Sequence, residues 1–251
     1  MTRLPQSIGD FYPDGFSAQL PSVVSVVMPT VLRPCIAQAV QSVFQQSLRD
    51  RIQLVIGVDK AAGGDEALRA TLDQRPDNVS AIVLALPFST SVRHGGVHPA
   101  LDGGALRAIL SFVGNSQYVA FLDDDNTWAP EHLALVLEAI KGKVWAYAQR
   151  QLVEEATGKL LGVDIWDSVG PNAGRFAKQG GFVDPNCLLV DKVAAARAFG
   201  RWSAGPGLFS DRSFFAAIKD APHGRVDQAT VRYGIRPSSI FYTFLRESPK
   251  F

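Results

Sequence analysis

The chain has 251 residues, 47% of them hydrophobic, and carries 25 Lys and Arg against 24 Asp and Glu. That length supplies the core of one α/β domain or two small ones, and the balanced charge excludes a broad basic field for DNA or an anionic membrane. Cys35 and Cys187 stand outside any CxxC spacing, so a disulfide framework is not expected and a reducing, cytoplasmic setting is.

Residues 1–21 are rich in Pro, Gly and Asp and read as an extension. They lack the apolar run of a signal peptide, and no later stretch has the roughly eighteen apolar residues of a spanning helix. "SVVSVVMPT" (22–30) predicts a buried parallel strand. Pro34 is placed as a first helical residue, and Ile36, Ala39, Val40, Val43, Phe44 and Leu48 follow at helical spacing. "QLVIGVD" (53–59) and "AIVLALPF" (81–88) predict two further strands around a helix from Asp65 to Leu72. Leu106, Ile109, Leu110 and Val113 mark a helix before the strand "YVAFL" (118–122). This alternation predicts right-handed βαβ units and a mainly parallel sheet.

"PEHLALVLEAIKG" (130–142) reads as a helix, and "KVWAYAQRQLV" and "KLLGVDI" as an antiparallel hairpin about the turn "EEATGK". Residues 167–181 read as a polar, Gly-rich loop outside the core. A strand "FVDPNCLLV" (182–190), a short helix near "KVAAARAF" (192–199) and a helix "SDRSFFAAIKD" (210–220) complete the order.

In open α/β sheets ligands bind beyond the carboxyl ends of the strands. Two predicted strands end there in carboxylates: Asp59 after "LVIGV", and Asp123, Asp124 and Asp125 after "YVAFL". Three adjacent like charges need a positive partner, and hard cations such as Mg²⁺ or Mn²⁺ bridge carboxylates to phosphates. A metal carrying a diphosphate is the expected partner. Neither GxxxxGK[ST] nor GxGxxG after a strand occurs, so a P-loop and a dinucleotide cofactor are not expected. "DDDNT" also satisfies DxDxT, the motif of haloacid-dehalogenase-type phosphatases, through Asp123, Asp125 and Thr127. After Asp125, however, no Asp directly follows a Gly and no two are adjacent, so that family's downstream acidic motif is missing.

Across roughly residues 22–245 the order of signals resembles the family 2 glycosyltransferases of the GT-A fold. "VSVVMPTVLR" is similar to that family's opening strand and PTxxR-like turn, with Pro29, Thr30 and Arg33. "SQYVAFLDDDNTWAPEHL" is similar to its GEYIAFLDxDDxxxP stretch. The resemblance implies a single GT-A-type α/β domain, with a nucleotide-sugar-binding half at 22–125 and an acceptor-binding half at 126–251. It implies that Thr30, Asp59 and Asp124 hold the nucleoside and ribose, that Asp123 shapes the turn and that Asp125 ligates Mn²⁺ or Mg²⁺ on the diphosphate. Asp211 matches the catalytic base. The implied reaction moves a sugar from a nucleoside-diphosphate sugar, UDP first, to an acceptor hydroxyl with inversion. The family's acidic pair is "SDR" here, its Arg-Asn segment offers only Arg107, and Arg236 stands where a His is common. Arg236 is expected to lend fixed positive charge to the diphosphate. A noncatalytic nucleotide-sugar binder is the alternative outside enzymes.

His94 and His98 lack the intervening Glu and regular helix of a zincin, and read as loop residues, as does His223. Trp128, Trp166 and Trp202 read as packing, the commoner fate of tryptophan; if one of them is a sugar platform, it is Trp166, at the entry to the long polar loop.

Overall fold

The computed structural model describes residues 9–60, 64–204, 207, 209–236, 239 and 241. Its first half alternates as expected. A short strand β1 (Gly9–Phe11) precedes β2 (Ser22–Thr30), α1 (Ile36–Phe44), β3 (Ile52–Val58), α2 (Glu66–Leu72) and β4 (Val79–Ala85). Next come α3 (Gly104–Val113), β5 (Ser116–Phe121), β6 (Thr127–Trp128) and α4 (His132–Ala139). The second half adds β7 (Trp145–Glu154), β8 (Leu160–Val163), β9 (Gly170–Pro171), β10 (Gly181–Phe182), β11 (Leu188–Asp191), α5 (Ser210–Ile218) and β12 (His223–Ile235).

Ten of these strands form one sheet in the order β1-β4-β3-β2-β5-β11-β7-β12-β6, with β8 paired to β7. The run β4-β3-β2-β5 is parallel, and β11 is antiparallel to both β5 and β7. Helices cover both faces of the parallel run, so β2 and β3 read as continuous apolar stretches. From β2 the chain passes first to β3 on one side and later to β5 on the other. The sheet therefore has its switch point between the carboxyl ends of β2 and β5, where a ligand crevice is expected.

Several predicted elements differ. Pro34 lies in a turn before α1, whose N-cap is Cys35, because Leu32 takes a left-handed conformation (φ 62°) that bends the chain first. "FVDPNCLLV" is two strands, not one. Pro185 has no N–H for a ladder, and Asp184 caps a 3₁₀ turn over Pro185–Cys187 by accepting from the Asn186 amide at 2.9 Å. The helix near "KVAAARAF" is a 3₁₀ segment, Ala196–Ser203. The loop 167–181 buries Asp167 and Ser168, which answer a buried arginine described below. The long strand β12 is not foreseen, because register shifts between Val226 and Val231 break its two-residue period. Within the expected extension, Gly9–Phe11 pairs antiparallel with β4 as an edge strand.

Candidate active site

At the switch point two strand ends converge. Thr30 closes β2, and its hydroxyl donates to Asp124 Oδ2 at 2.6 Å while accepting from the Leu32 amide at 2.8 Å. The left-handed turn at Leu32 then carries Arg33 back over the aspartates. Its guanidinium pairs with Asp124 Oδ1 through Nη2 and with Asp125 Oδ2 at 3.0 Å through Nη1. Arg107, one turn into α3, pairs with Asp123. Arg236, just past β12, joins Asp125 to Glu155. Three guanidinium groups of the chain itself thus face the aspartates.

The three carboxylates are not equivalent. Asp124 is 1% exposed, with both oxygens engaged. Burial works against the charge of Asp123, but Arg107 and the Asn186 amide outweigh it and hold that carboxyl below the usual range. Asp125 is open to solvent at 23% of its side chain. Burial and the charge of Asp123 push its carboxyl above the usual range despite Arg33 and Arg236.

Asp59 ends β3 and holds the following loop, accepting from Ser89 Oγ at 3.0 Å and from the Thr90 amide at 2.6 Å. Lys60, next to it, is a second left-handed residue (φ 52°) at this edge. Strained backbone clusters at ligand sites, and here it follows two adjacent strand ends. Pro29 precedes Thr30 on β2 and pairs in register with Gly57 of β3.

Asp211 lies in the first turn of α5. Asp102 fixes the start of that helix against α3 by accepting from the Gly104 and Ser210 amides, each at 3.2 Å. Arg107, in contact with Asp123, therefore also lies in the field of Asp211. Burial, then the charge of Asp184, push the Asp211 carboxyl up to about 6, against a 2.6 Å bond from the Arg212 amide. Such a value suits proton transfer near neutral pH.

Behind the corner runs a buried chain of polar contacts that the motifs did not reveal. Asn186 Nδ2 donates to Asp123 Oδ2 at 3.0 Å and to Asp184 Oδ1 at 2.7 Å, and its carbonyl takes the Asp123 amide at 2.7 Å. Asp184 pairs at 2.6 Å with Arg150, which is 0% exposed and also holds Asp164 at 2.8 Å and Asp167 at 2.9 Å. The available signal was a polar "DPN" inside an apolar run, and an arginine inside the apolar strand "VWAYAQRQLV". Buried polar residues are the informative exceptions in such runs.

The tryptophans and histidines divide as follows. Trp202 stacks on Phe214 at 4.3 Å in the core, and Trp128 stacks on His132 at 4.4 Å. Trp166 lies edge-on to Phe241 at 5.4 Å, with the Arg175 guanidinium 4.1 Å above its ring. His223 stacks on Trp145 at 4.6 Å. His98 accepts the Ala100 amide at 3.1 Å, and the His94 carbonyl accepts from Lys60 at 3.4 Å. Thr127 is on β6, paired to β12.

Among the described residues no group of three or more His, Cys, Asp or Glu side chains gathers as a metal site. Asp125 nevertheless fits a shared divalent ion. It is the partly open carboxylate, and its raised carboxyl leaves charge that an added cation would relieve. Divalent ions of this kind commonly combine one or two carboxylates with substrate phosphates.

The sheet order and the flanking helices give a GT-A-type fold. Solved structures with this fold include S. aureus TarS, at 16% identity and a TM-score of 0.59, covering 90% of this chain and 38% of that one. TarS 1–349 in complex with UDP-GlcNAc matches at 15% identity and a TM-score of 0.61, over 88% of this chain and 61% of that one. The mannosyltransferase PcManGT from Pyrobaculum calidifontis, in complex with GDP-Man and Mn²⁺, matches at 13% identity and a TM-score of 0.60, over 98% of this chain and 65% of that one. The chain thus spans less than two thirds of each of these relatives. No family model and no curated protein sequence matches it. No helix among the described residues is long and apolar enough to cross a membrane.

Proposed function

We propose that this chain transfers a sugar from a nucleoside-diphosphate sugar to an acceptor hydroxyl. One observation carries the reading. At the switch point of a GT-A-type sheet, Arg33 and Arg236 converge from separate elements on the solvent-facing Asp125. Two guanidiniums with planar donor forks suit the oxygens of a diphosphate.

In this mechanism residues 22–125 bind the donor, with Pro29, Thr30, Asp59, Asp123 and Asp124 shaping the nucleoside side. Arg33 and Arg236 offset charge growing on the departing diphosphate. Asp211 removes the proton of the acceptor hydroxyl as it attacks the anomeric carbon, and residues 126–251 hold that acceptor. With base and leaving group on opposite sides of the sugar, the product is inverted. A divalent ion, Mn²⁺ first, would be held by Asp125 and would supply Lewis-acid neutralisation of the diphosphate. UDP is the first donor nucleotide to test. The free thiols Cys35 and Cys187 favour a cytoplasmic setting.

Two measurements test this. In a thermal-shift panel of nucleoside diphosphates, UDP is expected to raise the melting temperature, and more so with Mn²⁺, since a ligand of the folded state stabilises it. No shift with any nucleotide removes the reading. In Asp211→Ala, turnover is expected to fall roughly a hundred- to ten-thousandfold with donor binding kept; unchanged turnover removes Asp211 from the mechanism.

A further inference from the structure

Beyond the candidate base, α5 has a face that donor chemistry leaves unused. Arg212, Phe215, Ala216 and Lys219 share it at helical spacing, one position on from Asp211. This face meets the 3₁₀ segment Gly174–Gln179 and β10 around a cavity of about 190 Å³. Phe176, Phe182 and Phe215 form its apolar wall, edge to face, with centroids 5.8 and 5.9 Å apart. Arg212 lays its guanidinium 3.9 Å from the Phe176 ring centre.

An arginine stacked by its face keeps its edge donors for an acceptor. Among the described residues the side chain of Arg212 finds neither an ion pair nor a hydrogen bond. Lys219 brings a second cation to the same cavity, paired at 3.0 Å with the exposed neighbour Asp220. Rings on one side and two cations on the other complement a molecule that joins an apolar ring or segment to an anionic group. The volume holds a ring-sized moiety and not a whole oligosaccharide.

The geometry points to this cavity as an acceptor subsite that takes an anion-bearing, partly apolar acceptor, the anion being a phosphate or a carboxylate. Asp211 precedes Arg212 on α5 but does not line the cavity, so an acceptor anchored by the Arg212 side chain reaches the base by extending past the cavity's edge. That the ligand is an acceptor rests on the glycosyl-transfer reading; its chemistry does not.

The test titrates the full chain by calorimetry with phenyl phosphate, benzoate and benzyl alcohol, which separate phosphate, carboxylate and bare ring. One of the two anions is expected to bind best and to identify the group. Its affinity should fall roughly ten- to hundredfold in Arg212→Gln, the span of a lost charge-assisted bond, and also fall in Phe176→Ala. Arg212→Lys keeps the charge but not the planar stack, and should retain part of the affinity. The proposal is overturned if neither anion binds, if benzyl alcohol binds as well, if Arg212→Gln changes nothing, or if UDP displaces the probe. UDP titrated alone into the unaltered chain decides the donor reading separately, whatever the probes do.

Discussion

Asp123 gives up its proton more readily than an ordinary carboxyl, and Asp125, two residues on, keeps its proton longer. The difference lies in the partners. Burial raises both carboxyls, but Arg107 and Asn186 outweigh it at Asp123, whereas at Asp125 the repulsion of Asp123 and Asp124 adds to it and Arg33 and Arg236 offset only part. Asp211 follows the same logic with burial dominant, and its value of about 6 sets the pH dependence of the proposed reaction. A general base works only unprotonated, so kcat/KM should climb about tenfold per pH unit below 6 and level off above it. Measured from pH 4.5 to 8, an acid limb near 6 in the unaltered chain that is missing from Asp211→Ala would assign it; an identical limb in both would give it to another group. The aspartates and Arg33 were legible as a motif. Asn186 was not, because a lone Asn has no spacing to recognise; only its burial among apolar neighbours marks it.

Among the elements, the parallel strands were legible because burial on both faces leaves an uninterrupted apolar run. The second half was not, because its strands are organised by one side chain. Arg150 projects from β7 and gathers Asp164 and Asp167 from the segment after β8 and Asp184 from the 3₁₀ turn before β11. Its guanidinium also lies 4.1 Å from the Tyr233 ring on β12. No local period encodes such a hub. Arg150→Met would leave three carboxylates in the interior with their shared cation gone, and breaking a buried pair in this way costs about 3–5 kcal/mol. Urea unfolding at pH 7 should show that loss. It should shrink at pH 5, as the orphaned carboxyls take up protons. An equal loss at both pH values would mean that the aspartates find other partners. Since Asp184 and Asn186 continue this chain to Asp123, the variant should also weaken UDP binding.

At the scale of the whole molecule, one hydrophobic cluster runs from β2 through β11 and α5 to β12, so the halves share a core. His132 reports on its unfolding. It is fully buried, accepts or donates at 2.7 Å with the Thr230 hydroxyl of β12, and stacks on Trp128 of β6. Burial lowers it to about 3, while an unfolded His titrates near 6.5. Between those values the unfolded chain binds more protons, so this group makes stability rise with pH by up to about 1.4 kcal/mol per unit. Its contribution is complete above pH 6.5 and is lost as the pH falls toward 3. Asp211 acts in the opposite sense: raised to about 6 from 3.8, it makes the folded state the better proton binder, and stability falls as pH rises through that window. The two therefore oppose each other between about pH 4 and 6, and the unaltered chain masks both. His132→Asn removes one of them. The variant should be less stable at pH 7, having lost its ring stack, yet lose less on going from pH 7 to 5 than the unaltered chain. Comparing the two slopes cancels every other titrating group. Parallel slopes would mean that His132 takes up its proton in the folded state as readily as in the unfolded one, and so is not sealed from water.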